Sequence, residues 1–593
     1  MDWKRAAALL YGDWGTSKAY VIGLAFFTAG FASFPIILAV CALTAVVGYV
    51  YTIICRHFPD GGGVYSAARS QSRLLAVIGA LLLVADLVVT AATSGWAAMA
   101  YFGVSKQFTA YATIGAILLI GAMNFFGPKH SGSLAVFLAV PTVVVVVMII
   151  WFAFPHLTLS HLERSHDSFN VNWVLFCGVI LALSGVEAIA NLTGVMRLDP
   201  ESTMETPVVR RTARKAIWVV AVEVVFGTAL MGWAMLSLSS DLQDQMNARW
   251  EDMLRFLAEQ YGTMQFGPTF GHYFGLVVGI IIALLLLSAV NTAIVALIGM
   301  MYLLARDGEM PRPFAKLNSH GVPWLPLLIA VSLPIVVVAM AKDLRFLTDL
   351  YAIGVVGAIA VNIGSCVFNK EFQVGLFNRV VMGATFFILV AVEVTLAKTK
   401  PEALFFVVCI LGVGLGLRGY SQRRAGLRTV TVTEDIAAAV SPETVPPFRI
   451  NLVHNQTIMV AARGLTPVLG FAIEEARLRQ GSIYVLYVKE LAVAFPGPLS
   501  EKTRPRWQDD EQAAKIMATM LEQGRQNSVT VVPIYVVSEN PAATILDLSA
   551  TLGIDILMLG TPHRRTLVTL LKGSVVTEVA NNLPENIKLI IYG

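Results

Sequence analysis

The chain has 593 residues, of which 56% are hydrophobic and only 14% are charged, and its mean hydropathy is +0.69. Soluble domains usually carry about 25% charged residues, so this composition excludes an ordinary soluble protein, and also disordered, collagenous and disulfide-rich secreted chains. The 43 basic and 39 acidic side chains leave a formal charge of +4, which is too balanced for a nucleic-acid binder. The composition predicts a membrane protein with no nucleic-acid partner.

Twelve apolar segments are long enough to cross a bilayer core about 30 Å thick, which takes about 20 helical residues. They lie near residues 15–33, 36–56, 74–101, 110–127, 134–154, 172–194, 216–238, 271–304, 322–341, 347–369, 380–397 and 402–417. Basic residues collect in every second connection, so the positive-inside rule predicts that both chain ends are cytoplasmic. We therefore expect a multi-pass protein of the cell inner (plasma) membrane, surrounded by the lipid bilayer.

The chain changes character after the last apolar segment. A polar, proline-containing linker is followed by five short β-rich runs, QTIMVAA, SIYVLYV, TVVPIYV, DILMLG and KLIIYG, which alternate with helical stretches. This alternation predicts a parallel, doubly wound α/β sheet. The expected organisation is a helical transmembrane domain over residues 1–420, a linker over 421–450 and a cytoplasmic α/β domain over 451–593.

Ionisable residues within the spans are the candidates for function, because a charge at mid-bilayer costs about 2.5 to 3.5 kcal/mol on insertion scales. They are Asp13, Lys18, Asp86, Glu187, Glu223 and Glu393. Glycines flank Asp13 in the first span and Glu187 in the sixth, where interrupted helices would free backbone carbonyls. The first and sixth spans correspond in a five-plus-five inverted repeat, and paired broken helices point to a transporter's substrate site. One acid in each favours a cation, since the carbonyl ends of half-helices also carry partial negative charge.

Several segments carry a family resemblance: GDWGTSKAY, FPDGGGVYSAARSQS, LSGVEAIANLTG, LSAVNTAIVALIGMMYLLARDGEMPRPF and LYAIGVVGAIAVN. Over most of residues 10–370 they resemble the KimA and KUP families of potassium importers, within the amino acid-polyamine-organocation superfamily. The resemblance implies a LeuT-like five-plus-five fold, import of the potassium ion with a proton, and a homodimer joined through the cytoplasmic domains. It implies a transporter that is not an enzyme and requires no cofactor.

The resemblance also implies which side chains bind potassium. By position they are Asp13, Tyr20, Thr90, Ser94, Ser184, Glu187 and Tyr351. Hydroxyl and carboxylate oxygens without a dense carboxylate cage suit a dehydrated monovalent cation. We expect Asp13 to be the principal ligand and Glu187 to exchange a proton for the ion. Asp86 belongs either to the proton route or to a cap at a break in the third span.

Two positions depart from the family pattern. Leu87 stands in place of a tyrosine, and Lys18 lies close to Asp13, where its ammonium would be able to replace potassium. On a helical wheel at roughly 100° per residue, Tyr20 shares the face of Asp13 and Lys18 points about 140° away. Glu223 and Glu393 have no neighbouring glycine break or hydroxyl cluster, so we expect structural roles for them.

Two other functions stay open for the membrane part. One is an amino-acid or amine permease of the same superfamily, although Asp13 would repel the carboxylate of an amino acid. The other is a sensor that transports nothing and passes a signal to the α/β domain.

The closing run GTPHRRTLVTLLKGSVVTEVANNLPENIKLIIYG resembles a universal stress protein domain. In nucleotide-binding members a glycine motif wraps phosphates, because glycine lets backbone N–H groups approach closely. Gly560, Gly573 and Ser574 keep part of that motif, whereas His563 replaces its middle glycine and Arg463 replaces an aspartate after the first strand. Two roles stay open: binding of an adenine nucleotide (ATP, AMP or cyclic di-AMP) that regulates transport, and a dimerisation platform.

Overall fold

The computed structural model describes most of the chain. The residues outside the description are 59–60, 62, 70, 128–130, 164, 166, 201, 203–207, 370–371, 373, 425–455, 492–505, 539, 561–574, 585–586 and 593. The described residues form a helical N-terminal part and a C-terminal part that contains a sheet.

Seventeen helices, α1 to α17, are described in the N-terminal part. In chain order they are Trp3–Trp14, Lys18–Ala29, Phe34–His57, Val64–Arg69, Arg73–Phe102, Lys106–Phe125, Ser131–Ala153, Phe169–Gly178, Ala188–Leu192, Arg210–Leu236, Gln243–Ala248, Met253–Phe266, Pro268–Arg306, Trp324–Met340, Leu344–Phe368, Leu376–Thr399 and Pro401–Arg424. Within the described residues, nine helices are long and apolar enough to cross a membrane, and α8 and α14 are shorter apolar helices. A polytopic membrane domain fits this pattern, while the count of twelve spans stays a prediction.

The first predicted span is two short helices, α1 and α2, separated by Gly15–Ser17. The sequence prediction placed its start near residue 15 and therefore missed α1. A search for apolar windows does not detect this helix, because its first residues are polar. One of them caps its N-terminus: the Asp2 side chain accepts a hydrogen bond from the backbone N–H of Arg5 at 2.9 Å. Such a cap supplies an acceptor for an N–H group that has no partner within the helix.

The sixth predicted span is also interrupted, as expected. It comprises α8, a short 3-10 turn over Ile180–Leu183, and α9. Gly185 lies in the interruption with φ of +92°, a left-handed conformation that side chains disfavour. The glycine therefore allows the chain to turn between the two short helices.

Helix α5 lies at the centre of the membrane domain and packs against α6, α13, α14, α15 and α17. Its contact with α15 is close at Gly354, where an added Cβ would lie 2.8 Å from the backbone nitrogen of Asp86. This packing fixes the depth at which α5 presents its polar residues.

The C-terminal part contains five parallel strands, β1 Thr457–Ala461, β2 Ser482–Glu490, β3 Thr530–Ser538, β4 Ile556–Gly560 and β5 Lys588–Tyr592. The strand order is β3-β2-β1-β4-β5, and every neighbouring pair is parallel.

Four helices cover the two faces of this sheet. They are α18 Pro467–Leu478, α19 Glu511–Gln526, α20 Pro541–Thr551 and α21 Val575–Asn582. Apolar residues of α18 and α19 pack on one face, and those of α20 and α21 pack on the other. The predicted doubly wound α/β domain is confirmed.

Candidate substrate site

Three carboxyl groups meet where the two interrupted helices pass α5. Asp13 ends α1, Glu187 directly precedes α9, and Asp86 lies on α5; the three residues are only 4%, 6% and 1% exposed. They are close enough to interact electrostatically. None of the ion pairs between described residues involves them. Three acidic side chains are therefore buried together with no basic partner among the described residues.

Each of these carboxyl groups keeps one oxygen unbonded. Asp13 Oδ1, Asp86 Oδ2 and Glu187 Oε2 are buried and accept no hydrogen bond from the described residues. Glu187 Oε1, in contrast, accepts from the backbone N–H of Gly185 at 3.2 Å. Buried polar atoms in folded proteins are nearly always satisfied. Asp86 and Glu187 lie within hydrogen-bonding reach of each other, so a shared proton satisfies their oxygens, and the oxygen of Asp13 is left for a ligand.

Hydroxyl groups surround the acids. The hydroxyls of Ser184 and Tyr351 are hydrogen-bonded to each other, and Tyr20 lies beside Tyr351 and interacts with Asp13. The Thr90 hydroxyl donates to the backbone carbonyl of Asp86 at 2.9 Å. The structure thus brings hydroxyls from α2, α5 and α15 to the three carboxyls.

Ser94 is buried on the same helix as Asp86 and Thr90. These three residues follow one another at intervals of four, which places them on one face of α5. Ser94 accordingly extends the polar face by one turn beyond Thr90.

The backbone carbonyls at the end of α1 are already in use. The carbonyl of Asp13 accepts from the backbone N–H and from the hydroxyl of Thr16, and the carbonyl of Trp14 accepts likewise from Ser17. A carbonyl oxygen has two lone pairs, so both oxygens are saturated. These two carbonyls therefore offer no lone pair to a ligand, and the expectation that the break frees other carbonyls stays a prediction.

The two interrupted helices touch directly. A Cβ added to Gly185 would lie 2.4 Å from the backbone nitrogen of Trp14 and 2.8 Å from the carbonyl carbon of Asp13. A residue with a side chain would separate the two breaks. Gly185 is therefore required to keep Asp13 and Glu187 close together. From the sequence, this glycine was expected only to break the helix.

Lys18 does not contact the three acids. Its Nζ donates to both carboxylate oxygens of Glu223 on α10, each at 2.5 Å, and to the hydroxyl of Tyr11 at 3.1 Å. Sequence reasoning missed this pair. The available signal was charge balance, since Lys18 and Glu223 are opposite charges in otherwise apolar spans.

The donor set does not resemble a tight metal centre. Among the described residues, no three His, Cys, Asp or Glu side chains are arranged to hold a metal ion. Mixed carboxyl and hydroxyl oxygens are hard donors, which suit a hard cation rather than a metal that prefers sulfur or nitrogen ligands.

The proposed nucleotide motif is only partly visible. Gly560 ends β4, whereas Gly573 and Ser574 lie outside the described residues. Arg463, which follows β1, pairs with Glu490 at the end of β2 at 3.7 Å. Its guanidinium also donates to the backbone carbonyl of Ser319, which lies between α13 and α14, at 3.4 Å.

Residues 1–414 match the sequence profile of the amino acid permease family. The chain belongs to this family. Residues 454–587 of the permease match the universal stress protein family. Neither is a family of enzymes. The chain is a multi-pass membrane protein of this family with a C-terminal universal stress protein domain.

Two individual proteins resemble parts of the permease. A probable amino-acid permease of Schizosaccharomyces pombe (strain 972) is 28% identical over 139 residues, which cover 23% of this permease and 25% of that protein. The alignment thus spans about a quarter of that relative. A crystal structure of a universal stress protein in complex with cAMP is 16% identical over 23% of this chain and 95% of that chain, with a TM-score of 0.18.

Proposed function

We propose that this permease is a secondary active potassium importer. The observation that carries the proposal is the group of three buried carboxyls, Asp13, Asp86 and Glu187, each with an unbonded oxygen. Burying uncompensated charge in a membrane protein is costly. A cation that binds beside these groups, held by carboxyl and hydroxyl oxygens together rather than by all three acids, removes much of that cost.

The same charges disfavour an amino acid. Its carboxylate would need hydrogen-bond donors or a cation, and the ammonium of Lys18 is already bound to Glu223. A free carboxylate beside three acids would be repelled. The substrate is therefore a cation with no negative group of its own.

Potassium is the cation that the donor set fits best. Hydroxyls of Tyr20, Tyr351, Ser184 and Thr90 stand with the carboxyls, and Ser94 continues the polar face, so neutral oxygens contribute beside the charged ones. A divalent ion favours a denser carboxylate cage. The resemblance to the KimA and KUP families supports the same assignment.

Proton coupling follows from charge balance. One potassium ion cannot balance three carboxylates that lie side by side in a dry site, so the site binds a proton together with the ion and releases both on the same side of the membrane. Glu187 exchanges this proton and Asp13 is the principal ligand of potassium. Asp86 interacts with both residues and belongs to the proton route.

The proposed architecture follows the same resemblance. Residues 1–420 form twelve spans with a five-plus-five LeuT-like repeat, in which rocking of helices gives alternating access. Residues 421–450 link them to a regulatory domain over 451–593, although 425–450 lie outside the described residues. The domain binds an adenine nucleotide or joins two protomers, and both chain ends face the cytoplasm of the cell inner membrane.

A second candidate function is transport of amino acids or amines. The family profile and the Schizosaccharomyces pombe relative, itself a probable amino-acid permease, favour it. The buried acids would suit an amine far better than a zwitterion.

Uptake into proteoliposomes tests the proposal. Purified permease should accumulate rubidium, as a tracer for potassium, when an inward proton gradient is applied, and excess potassium should compete. Asp13→Asn should abolish this uptake, because it removes charge from the site. Uptake of an amine or an amino acid without any rubidium uptake would refute the potassium assignment. If rubidium, amines and amino acids all stay outside, the result would favour a sensor.

A further inference from the structure

Lys18, Glu223 and Tyr11 form a buried triad beside the interruption between α1 and α2. Tyr11 belongs to α1, Lys18 begins α2, and Glu223 lies on α10. The Tyr11 hydroxyl also lies 3.1 Å from Glu223 Oε1. The triad therefore joins both halves of the interrupted first helix to α10, and potassium transport as described above does not use it.

The ammonium of Lys18 has no hydrogen-bonding capacity left. A lysine ammonium has three donors, and here the two oxygens of Glu223 and the hydroxyl of Tyr11 are the three acceptors. The Lys18 side chain is only 1% exposed, whereas that of Glu223 is 19% exposed. Gly227, one turn after Glu223, leaves space for the pair: an added Cβ would lie 3.7 Å from Nζ and 3.3 Å from Oε1.

Without Glu223, Lys18 would become a buried ammonium with no negative partner. Losing one member of a buried ion pair is strongly unfavourable for the member that remains. Only four residues separate Lys18 from Asp13 in the chain, so the unbonded carboxyl oxygen of Asp13 is then an acceptor for the released ammonium. A tethered group competes at an effective concentration of about millimolar or more, so Lys18 would act as a built-in competitor of potassium.

We propose that Glu223 is a specificity-determining residue, which keeps the site available to potassium by holding the Lys18 ammonium away from the three acids. The inference rests on the proposed function, because it requires the acids to bind a cation. Glu223 acts through Lys18 and need not touch the ion.

The test compares Glu223→Gln with the double variant Lys18→Met, Glu223→Gln. The single variant should raise the apparent KM for rubidium uptake at least tenfold with a smaller change in maximal rate, because the released ammonium competes with the ion. The double variant lacks the competitor and should return to within about threefold of the wild-type KM. Potassium-dependent protection against thermal unfolding should be lost in the single variant and regained in the double.

A matched control is Glu309→Gln. Glu309 pairs with Arg418 of α17 at 2.5 Å, so this variant also releases a basic side chain, but one outside the substrate site. Its KM should stay at the wild-type value. Gel filtration of all variants checks that each is folded.

Two results would overturn the inference. An unchanged KM in Glu223→Gln would show that the pair does not control the site, and an equal defect in single and double variants would show that Glu223 acts only on packing. Were the wild type to import an amine but no alkali ion, the proposed function would be wrong. The same comparison with methylammonium would then decide the inference, since a tethered ammonium competes with any cation.

Discussion

Replacing Gly185 by alanine should disrupt the substrate site while leaving the membrane domain folded. The residue has φ of +92°, and its added Cβ would lie 2.4 Å from the backbone nitrogen of Trp14. Both elements that would clash are backbone, so no side-chain rotation relieves the contact. The interruption around Gly185 must move away from the end of α1, which carries Asp13.

The magnitude follows from two terms. A left-handed conformation costs a residue with a Cβ about 1 to 2 kcal/mol, and overpacking typically costs about 1 to 3 kcal/mol. The sum, about 2 to 5 kcal/mol, is the free energy by which the substitution destabilises the arrangement that holds Asp13 next to Glu187. Since 1.4 kcal/mol is a factor of ten in affinity, even the lower end corresponds to a roughly 30-fold rise in the KM for rubidium.

The assay is rubidium uptake by proteoliposomes as a function of rubidium concentration, with gel filtration as the check on folding. Gly12→Ala is the matched control, because Gly12 adjoins Asp13 but has no neighbouring atom within 4 Å of an added Cβ. That variant should keep the wild-type KM. The reasoning is refuted if Gly185→Ala transports with wild-type KM, or if the two alanine variants are equally impaired.

Three further predictions concern separate groups. Glu187→Gln should make rubidium uptake independent of pH, measured with and without a proton gradient; fully pH-dependent uptake would contradict its role as the proton carrier. Glu393 lines an apolar cavity of about 390 Å³ and its Oε2 has no partner among the described residues. Glu393→Leu should therefore stabilise the protein by about 1 to 3 kcal/mol, the usual cost of a buried polar atom left without a hydrogen bond. The unfolding temperature should rise with uptake unchanged, and a fall would show that this carboxyl has a function. Asp510 caps α19, and although partial burial opposes its charged form, the backbone N–H of Ala513 and the Lys489 ammonium hold the pKa of Asp510 below its usual range. This stabilisation is present above about pH 4 and is lost as pH falls through the lowered pKa. Asp510→Ala should therefore speed hydrogen exchange in the first turn of α19 roughly fivefold at neutral pH, whereas equal rates in both proteins would refute the capping role.

Most of the long helices of the membrane domain could be predicted from hydropathy alone. Each of the twelve apolar segments overlaps a helix or a pair of short helices, because spanning the bilayer forces backbone groups to bond within each segment. Helix α1 was missed because its start is polar, and its N-cap is a signal that hydropathy ignores. The alternation of strand-like and helical runs was likewise sufficient for the α/β domain, since helices cover both faces of the sheet.

The site was predictable only in part. The acids in the interrupted, glycine-flanked spans could be identified because a charged side chain is costly to insert into a membrane. The hydroxyl residues were identified only through the family resemblance. The wheel placed Lys18 away from Asp13, but its partner Glu223 is 205 positions along the chain. No local pattern encodes that pairing, because it depends on how α2 packs against α10.

The amino-acid sequence by itself determined which segments enter the bilayer and which residues are too polar to be there without a purpose, because the cost of burial depends on composition and length. Only the tertiary structure decided which of those charges neutralise each other. Lys18 and Glu223 are paired, whereas Asp13, Asp86 and Glu187 are gathered without a basic partner in the part of the chain that the structure describes. The physical reason is that electrostatic interaction in a medium of low dielectric depends on distances of a few ångströms, and such distances arise from helix packing.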